Sequence, residues 1–160
     1  MSNTRKIFIE TLSELARKDP KVVLLVMDVG FSYVEDFGKE FPNQYINLGV
    51  TEQAATGVAA GMALSGMKPY LYSMIPFVTM RNFEQVRNDV CYHNANVKLI
   101  GVQGSVHYKF LGFSHNMIGE EDIKILNHLP NLRLYTPSEN EVDEVLKVSY
   151  ADEGPTYIRL

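Results

Sequence analysis

A single carboxylate, Glu52, stands at the start of a segment built almost entirely from small residues. The segment reads YINLGVTEQAATGVAAGMA from Tyr45 to Ala63, and it predicts a polar turn followed by a helix. Few side chains on this helix would keep a neighbouring backbone away, so another chain could pack closely against it. A carboxyl placed there can exchange protons with a bound ligand. On pattern alone, Glu52 is more simply explained as a first-turn acid favoured by the helix dipole, with Thr51 as N-cap.

Three apolar residues farther along are spaced so that they could form one wall. Phe77, Met80 and Phe83 are three residues apart in a predicted helix over 77–93, which would place them on one face. Such a face could form an apolar wall. Without further information, the spacing more commonly indicates a face that packs into the core. Phe77 is the strongest candidate of the three for ligand contact.

Polar candidates follow the ends of predicted strands. Asp28 closes the first strand, where it can face a ligand or cap a turn with Gly30. Gln103 follows a later strand, and His115 lies in the GFSHN segment of the same loop. A loop histidine is more often a surface residue, but loops after strands are also where binding and proton-transfer groups concentrate. All three residues are therefore candidate site residues.

Strands and helices alternate along the chain and would position these residues. Val22 to Met27 is a continuous β-branched and aliphatic run, as expected for a strand buried on both faces of a parallel sheet. Further strands are predicted at Lys68 to Ser73, Val97 to Val102, Leu132 to Thr136 and Thr156 to Leu160. Helices are predicted near 7–16, 51–64, 77–93, 120–129 and 139–150. This alternation predicts an α/β fold with a doubly wound, mainly parallel sheet and helices on both faces.

Loops that follow the strands are where a fold of this kind binds ligands. Ligands of open parallel sheets bind beyond the carboxyl ends of the strands. Four loops qualify: 28–32, 49–52, 73–83 and 103–119. Neither GxGxxG nor GxxxxGK[ST] occurs, so no dinucleotide or nucleoside-triphosphate loop is encoded. We also predict no protein-only metal site, because the His, Cys, Asp and Glu residues lack metal-ligand spacing.

Composition narrows the function classes. The chain has 160 residues, of which 46% are hydrophobic and 21% charged, so one domain over 1–160 with a substantial core is expected. A net charge of −4 disfavours nucleic-acid binding. One cysteine, Cys91, cannot form an internal disulfide. No signal peptide is recognised, and no apolar run approaches the length of roughly 20 residues that a membrane span requires. The expected location is the cytoplasm.

Four sequence blocks occur together in one order and cover nearly the whole chain. They are GVTEQAATGVAAGMALSGMKPY, PFVTMRNFEQVRNDV, NVKLIGVQGSVHYKFLGFSHN and LPNLRLYTPSENE. Together they resemble the pyrimidine-binding domain of transketolase-type thiamine diphosphate enzymes. The nearest resemblance is to the C-terminal subunit of split transketolases. Deoxyxylulose-phosphate synthases and the beta subunits of 2-oxo-acid dehydrogenases are more distant.

The resemblance implies half of an active site. In that family, this domain holds the aminopyrimidine of thiamine diphosphate between protomers or subunits. A separate diphosphate-binding domain with a GDG motif holds the other end of the cofactor and its Mg²⁺. No GDG occurs in this sequence, so a partner subunit is expected to bind the metal and this chain to be inactive without it. A homodimer of this domain and small sugar substrates are also expected.

The resemblance also assigns roles at matching positions. Glu52 is expected to hydrogen-bond the pyrimidine N1′, because a carboxylic acid there favours the imino tautomer that takes a proton from the thiazolium carbon. Phe77, with Met80 and Phe83, is expected to pack on the ring. Asp28 is expected near the thiazolium ring. His115 matches the histidine of a DG-x-[ST]-H-Q element that faces the substrate channel.

Two positions depart from the family pattern. Gln103 stands where transketolases usually have a histidine, and Leu111 stands where they have the acid of an EDG element. Leucine cannot accept a hydrogen bond from a sugar hydroxyl, so the substrate is left open. His107, Tyr108 and Lys109 could supply other polar contacts, although surface exposure is the simpler interpretation for Lys109.

The resulting prediction is a transketolase-like transferase subunit that takes part in moving a two-carbon ketol unit between sugars. Two alternatives stay open. One is a subunit of another thiamine diphosphate enzyme, 2-oxo-acid dehydrogenase beta-like or deoxyxylulose-phosphate synthase-like. The other is a noncatalytic interaction domain. The third, C-terminal domain of the family is absent from 1–160, so a fragment of a longer subunit is also compatible with the sequence.

Overall fold

The computed structural model describes residues 3–104 and 109–160, and these contain one six-stranded sheet. The strands are β1 Val22–Val26, β2 Tyr45–Asn47, β3 Lys68–Met74, β4 Lys98–Val102, β5 Arg133–Tyr135 and β6 Thr156–Arg159. Their order is β2-β1-β3-β4-β6-β5, and every neighbouring pair is parallel. The predicted α/β fold with a parallel sheet is confirmed.

The apolar run of β1 is buried because it serves two cores. Val22, Leu24 and Val26 pack in one cluster. Val23 and Leu25 pack in the other. Successive side chains of a strand point to opposite faces, so a strand between two helix layers needs apolar residues at every position.

Helices cover both faces of the sheet. The seven α-helices of the described residues are α1 Thr4–Lys18, α2 Glu35–Glu40, α3 Glu52–Leu64, α4 Ile75–Thr79, α5 Phe83–Gln85, α6 Glu121–Leu126 and α7 Val142–Ala151. Side chains of α1, α2 and α7 join the first core. Side chains of α3, α6 and the π-helix Val86–Tyr92 join the second. Short 3₁₀ segments lie at Lys109–Ser114 and Glu139–Glu141. The expected doubly wound arrangement is therefore present.

The predicted continuous helix over 77–93 is wrong. Helix α4 ends at Thr79, α5 begins at Phe83, and the chain then widens into the π-helix. Asn82 interrupts the helix because its side chain is fully buried and hydrogen-bonds to α3. Phe77, Met80 and Phe83 consequently do not share one helix face: Phe77 joins the first core, Met80 is 40% exposed, and Phe83 packs against the second core.

Two short elements lack a sequence signal. Strand β2 has three residues at the sheet edge, where Ile46 and Asn47 are exposed, so it has no buried run to reveal it. Helix α2 spans six residues and buries Phe37 alone. Across residues 3–104 and 109–160, none of the helices combines the length and apolar character that crossing a bilayer requires.

Candidate functional site

The carboxyl ends of neighbouring parallel strands bring the predicted residues to one edge of the sheet. Asp28 follows β1, α4 with Phe77 follows β3, and Gln103 follows β4. Glu52 begins α3, a few residues after β2. Because β2, β1, β3 and β4 are consecutive in the sheet, the segments that follow them are neighbours. This is the edge at which folds of this type bind ligands.

Glu52 is buried although it opens a helix. Its exposed fraction is 3%. Thr51 makes no side-chain cap to the helix, and its hydroxyl donates instead to the carbonyl of Leu48 at 2.7 Å. An acid that served only the helix dipole would gain nothing from burial, since a buried carboxylate requires compensating partners. The simpler explanation of Glu52 therefore does not account for its position.

Arg81 supplies that compensation. Its Nη1 donates to Glu52 Oε1 at 2.8 Å, and the Arg81 side chain is 41% exposed. Its guanidinium carbon also lies 3.7 Å from the centroid of the Phe77 ring. The sequence prediction missed Arg81. No sequence signal marked it, because helix α4 ends at Thr79 and an arginine in a turn is an ordinary surface residue.

Phe77 and His115 extend this line of contacts. Phe77 is 7% exposed, and its ring centroid lies 4.9 Å from that of His115 at an interplanar angle of 72°. The Ser114 hydroxyl lies 2.8 Å from His115 Nδ1. Glu52, Arg81, Phe77 and His115 thus form one continuous row of side chains. Three of these four residues were predicted from the sequence.

A buried hydrogen-bond chain supports the row from behind. Asn82 Nδ2 donates to Thr56 Oγ1 at 2.6 Å, and Thr56 Oγ1 donates to the Glu52 carbonyl at 2.7 Å. Asn82 and Thr56 are both fully buried. The turn that presents Arg81 is therefore fixed against the first turn of α3. Neither residue was predicted, because polar side chains in helical segments give no periodic signal.

Asp28 lies at the same edge but makes other contacts. It is exposed and has a left-handed backbone, with φ of 54°. Its N–H donates to Asn47 Oδ1 at 3.2 Å, and the same oxygen accepts from the Gly49 N–H at 3.0 Å. Asn47 thereby ties the ends of β1 and β2 together. Contact between Asp28 and a cofactor stays a prediction.

Gln103 is anchored through its backbone. Its N–H donates to the Leu160 carbonyl at 2.9 Å, and its own carbonyl accepts from Arg5 Nη2 at 2.6 Å. Its Oε1 is buried and has no hydrogen-bond partner within residues 3–104 and 109–160. His107 and Tyr108 lie outside the described residues, as does the side chain of Lys109.

An open pocket lies at the end of the row formed by Glu52 and Arg81. It has a volume of about 450 Å³ and is lined by residues 50–54 and by Arg81. A larger hollow of about 570 Å³ lies between α1 and α2, is lined mainly by charged side chains, and includes none of the predicted site residues. The smaller pocket is the relevant one because Glu52 and Arg81 both line it.

Comparison with known proteins agrees with this architecture. A family model described as the transketolase pyrimidine-binding domain matches residues 1–160. An apulose-4-phosphate transketolase component from Phocaeicola vulgatus, one chain of a multi-chain enzyme, is 36% identical over 158 residues, which cover 98% of this chain and 50% of the relative. A 1-deoxy-D-xylulose-5-phosphate synthase from Bacillus cereus is 42% identical over 154 residues, which cover 94% of this chain and 24% of the relative.

Solved structures show the same relationship. One described as "Split gene transketolase, inactive beta4 tetramer" superposes with a TM-score of 0.84 at 35% identity, covering 98% of this chain and 50% of that chain. A transketolase from Campylobacter jejuni superposes with a TM-score of 0.83 at 18% identity, covering 98% of this chain and 25% of that one, and supports the fold alone. The chain spans about half the length of the apulose-4-phosphate transketolase components it matches. It belongs to the transketolase pyrimidine-binding domain family of thiamine diphosphate-dependent transferases.

Proposed function

We propose that this chain is the aminopyrimidine-binding half of a two-chain transketolase that moves a two-carbon ketol unit from a ketose to an aldose. The proposal rests mainly on one observation: at the carboxyl edge of a parallel sheet, Arg81 joins a carboxylate that is 3% exposed to the face of the Phe77 ring. A buried carboxyl that lines an open pocket can exchange a proton with a ligand bound there.

The residues present fit the aminopyrimidine ring of thiamine diphosphate. Arg81 contacts both the Phe77 ring and the Glu52 carboxyl with one planar, hydrogen-bonding group. A flat nitrogen heterocycle needs the same two contacts, a ring to stack on and a carboxyl at its polar edge. The adjoining pocket of about 450 Å³ is open enough to admit such a ring.

Each residue has a distinct proposed role. When bound, thiamine diphosphate supplies the carbon nucleophile for the transfer. Glu52 holds a proton at N1′ of the pyrimidine and so controls the protonation of the amino group at 4′. Phe77 fixes the plane of the ring and excludes water from one side. His115, packed edge-on against Phe77, presents its imidazole to substrate oxygens.

The remaining candidates are assigned secondary roles. Asp28 and Gln103 lie at the same edge and are proposed as contacts to the thiazolium side and the substrate. Met80, which is 40% exposed at the end of α4, is proposed as a second apolar contact for the ring. Phe83 packs against the second core, so we propose that it acts by holding the segment that carries Met80.

An exposed face of α3 supports assembly with other chains. Gly57 and Gly61 are exposed there, and a Cβ added at either glycine would meet nothing within 4 Å. Val58 and Leu64 on the same helix are 43% and 63% exposed. We propose that this face binds a second copy or the diphosphate-binding subunit. That subunit, with a GDG motif, would hold Mg²⁺ through the diphosphate.

Reconstitution tests the proposal. The chain is mixed with a GDG-bearing partner, thiamine diphosphate and Mg²⁺, and transfer from a panel of ketose phosphates, apulose 4-phosphate included, to aldoses is followed. We expect turnover only with both chains present. Glu52→Gln should lower turnover by a factor of about 10²–10⁴, as loss of a general acid–base group does. The matched control is Glu84→Gln, because Glu84 is a solvent-accessible acid on α5. Undiminished turnover by Glu52→Gln would contradict the proposal.

A second candidate function is 1-deoxy-D-xylulose-5-phosphate synthesis. The identity of 42% to the Bacillus cereus synthase favours it, although that match covers only 24% of the relative. Turnover of pyruvate with an aldose phosphate, but not of a ketose with an aldose, would select this function. If neither pair reacts and the partner still binds, the chain is a noncatalytic interaction domain. We also propose a cytoplasmic location, since Cys91 is buried and free.

A further inference from the structure

Arg81 makes the two contacts that the proposed function gives to the aminopyrimidine ring. Its Nη1 lies 2.8 Å from Glu52 Oε1, and its guanidinium carbon lies 3.7 Å from the Phe77 centroid. A guanidinium is planar, stacks on aromatic faces and carries hydrogen-bond donors at its edge. It therefore resembles the heterocycle in shape and in bonding. Two flat groups cannot stack on the same face and bond the same carboxyl oxygen together.

We propose that the Arg81 guanidinium occupies the aminopyrimidine position in the unliganded chain and leaves that position when thiamine diphosphate binds. We refer to this replacement as the exchange. This inference rests on the proposed function and adds a step that controls access to the same site. The relevant ligand is a flat nitrogen heterocycle with a polar edge. The residue acts on Glu52 and Phe77 and does not touch the reacting atoms.

Burial of Glu52 explains why the unliganded chain needs Arg81. A carboxylate with 3% exposure is unfavourable unless a cation or several donors compensate it. Arg81 Nη1 is such a donor. In the liganded chain, the polar edge of the pyrimidine ring would replace it. Glu52 would then keep a hydrogen-bond partner throughout the exchange.

Proton chemistry explains why Arg81 must leave. A guanidinium stays protonated under all ordinary conditions, and it has no acceptor atom. It can neither accept a proton from Glu52 nor deliver one to a substrate. While paired with Arg81, Glu52 therefore cannot serve the relay of the proposed function. The contact that stabilises the unliganded chain must therefore break before Glu52 can act.

The local backbone allows the side chain of Arg81 to move without unfolding. The Arg81 side chain is 41% exposed and lies between the end of α4 at Thr79 and the start of α5 at Phe83. The next residue, Asn82, is held by its hydrogen bond to Thr56. Movement can thus be confined to the rotamers of one half-exposed side chain, which change on a fast timescale.

Competition for one position has a measurable consequence. A ligand that must displace an occupant binds with an apparent affinity equal to its intrinsic affinity multiplied by the fraction of sites that are vacant. Removing the guanidinium should therefore tighten cofactor binding, whereas removing an ordinary ligand contact would weaken it. The same change should destabilise the unliganded chain, because Glu52 would be left buried without its cation.

The test uses the chain together with its GDG-bearing partner. The dissociation constant of thiamine diphosphate with Mg²⁺ is measured by calorimetry, and the urea midpoint of the unliganded chain is measured by circular dichroism. Arg81→Ala should bind the cofactor on the order of tenfold more tightly and unfold at lower urea. The matched control is Arg87→Ala, because Arg87 also lies over an aromatic ring, that of Tyr92 at 4.7 Å. Arg87→Ala should leave the dissociation constant of thiamine diphosphate unchanged. It should also leave the effect of Glu52→Gln on the measured quantities unchanged.

A double-mutant cycle of Arg81→Ala with Glu52→Gln separates the possible results. We expect the two substitutions to be coupled in the unliganded chain and independent at saturating cofactor. Weaker or unchanged binding by Arg81→Ala, or coupling that persists with cofactor, overturns the exchange alone. Absence of binding by the unsubstituted chains overturns the proposed function and this inference with it. If the Arg81→Ala chain does not fold, Arg81→Lys replaces it, because lysine keeps the charge without the flat group. The proposal then requires that the Arg81→Lys chain bind the cofactor more tightly than the unsubstituted chain.

Discussion

Asn82 Nδ2 donates a hydrogen bond of 2.6 Å to Thr56 Oγ1, and both side chains are fully buried. The bond joins the turn that carries Arg81 to the helix that begins with Glu52. Thr56 Oγ1 in turn donates to the Glu52 carbonyl. The geometry of the candidate site is therefore set by two polar residues that lie behind it.

Replacing Thr56 with valine should destabilise the chain through Asn82. The substitution keeps the shape but leaves the Asn82 amide without its acceptor, and an unsatisfied buried group costs about 1–3 kcal/mol. Urea unfolding of Thr56→Val measures this loss. Thr79→Val is the control, because the Thr79 hydroxyl is equally buried and donates to Ile75 O within its own helix. Equal losses for the two variants would contradict a special role for the Asn82 bond.

A second buried network holds the segment before α6. Asp122 is fully buried, and its Oδ2 accepts from Tyr157 Oη at 2.6 Å and from Arg159 Nε at 3.0 Å. Arg159 Nη2 also donates to the Gly119 carbonyl at 2.8 Å. Burial raises the pKa of the Tyr157 hydroxyl, so Tyr157 stays a donor at ordinary pH. This network connects β6 to the loop that follows His115.

Arg159→Met should therefore be strongly destabilising. Removing the cation leaves Asp122 buried with less compensation, and breaking a buried pair in this way costs about 3–5 kcal/mol. Arg133→Met provides the control, since the Arg133–Asp152 pair has a separation of 3.6 Å and both side chains are at least a third exposed. Exposed pairs contribute about 0–1 kcal/mol. Chemical denaturation of both variants tests the difference, and similar losses would show that Asp122 is not held by Arg159.

Lys98 should make the free energy of unfolding change with pH in the alkaline range. Its Nζ donates to the carbonyls of Asp152 and Gly154 at 3.1 and 2.8 Å. Burial lowers the pKa of Lys98 from 10.5 to about 8; Asp152 opposes this shift, while Arg133 and Lys68 add to it. The folded chain then binds fewer protons than the unfolded chain between about pH 8 and 10.5, so the contribution of Lys98 to stability rises with pH across that window.

Comparison with Lys98→Met isolates this effect from other groups that titrate at high pH. The difference in unfolding free energy between the original chain and the variant should increase as pH rises above about 8, with a slope of at most about 1.4 kcal/mol per pH unit. Urea titrations at several pH values measure it. A difference that stays flat or falls over that range would mean that Lys98 keeps an ordinary pKa in the folded chain.

Sequence reasoning recovered the elements that serve two cores. The apolar run from Val22 to Met27 predicts β1 because every position in it is buried and must be apolar. Strand β2 at Tyr45–Asn47 is an exposed edge strand and has no such run. The break after α4 was not predicted. It depends on Asn82, whose partner Thr56 is distant in sequence, and a periodicity argument cannot detect a pairing across 26 residues.

The sequence predicted part of the candidate site, as it did for the fold. Glu52, Phe77 and His115 were identified from motif blocks, and the structure brings them into one row through Arg81. Arg81 itself did not stand out, since a half-exposed arginine is ordinary in sequence. Its importance follows only from burial of the carboxylate it meets. Phe77 and Phe83 do not form the predicted shared wall, because the helix that would have placed them on one face is interrupted between Thr79 and Phe83.

The central claim is that the Glu52 carboxyl transfers a proton through the aminopyrimidine ring. The most direct measurement is the hydrogen–deuterium exchange rate of the thiazolium C2 proton of thiamine diphosphate bound to the chain and its partner. Under saturating cofactor, Glu52→Gln should slow this exchange by a factor of about 10²–10⁴. An exchange rate equal to that of the unsubstituted complex, with cofactor fully bound in both, would contradict the claim.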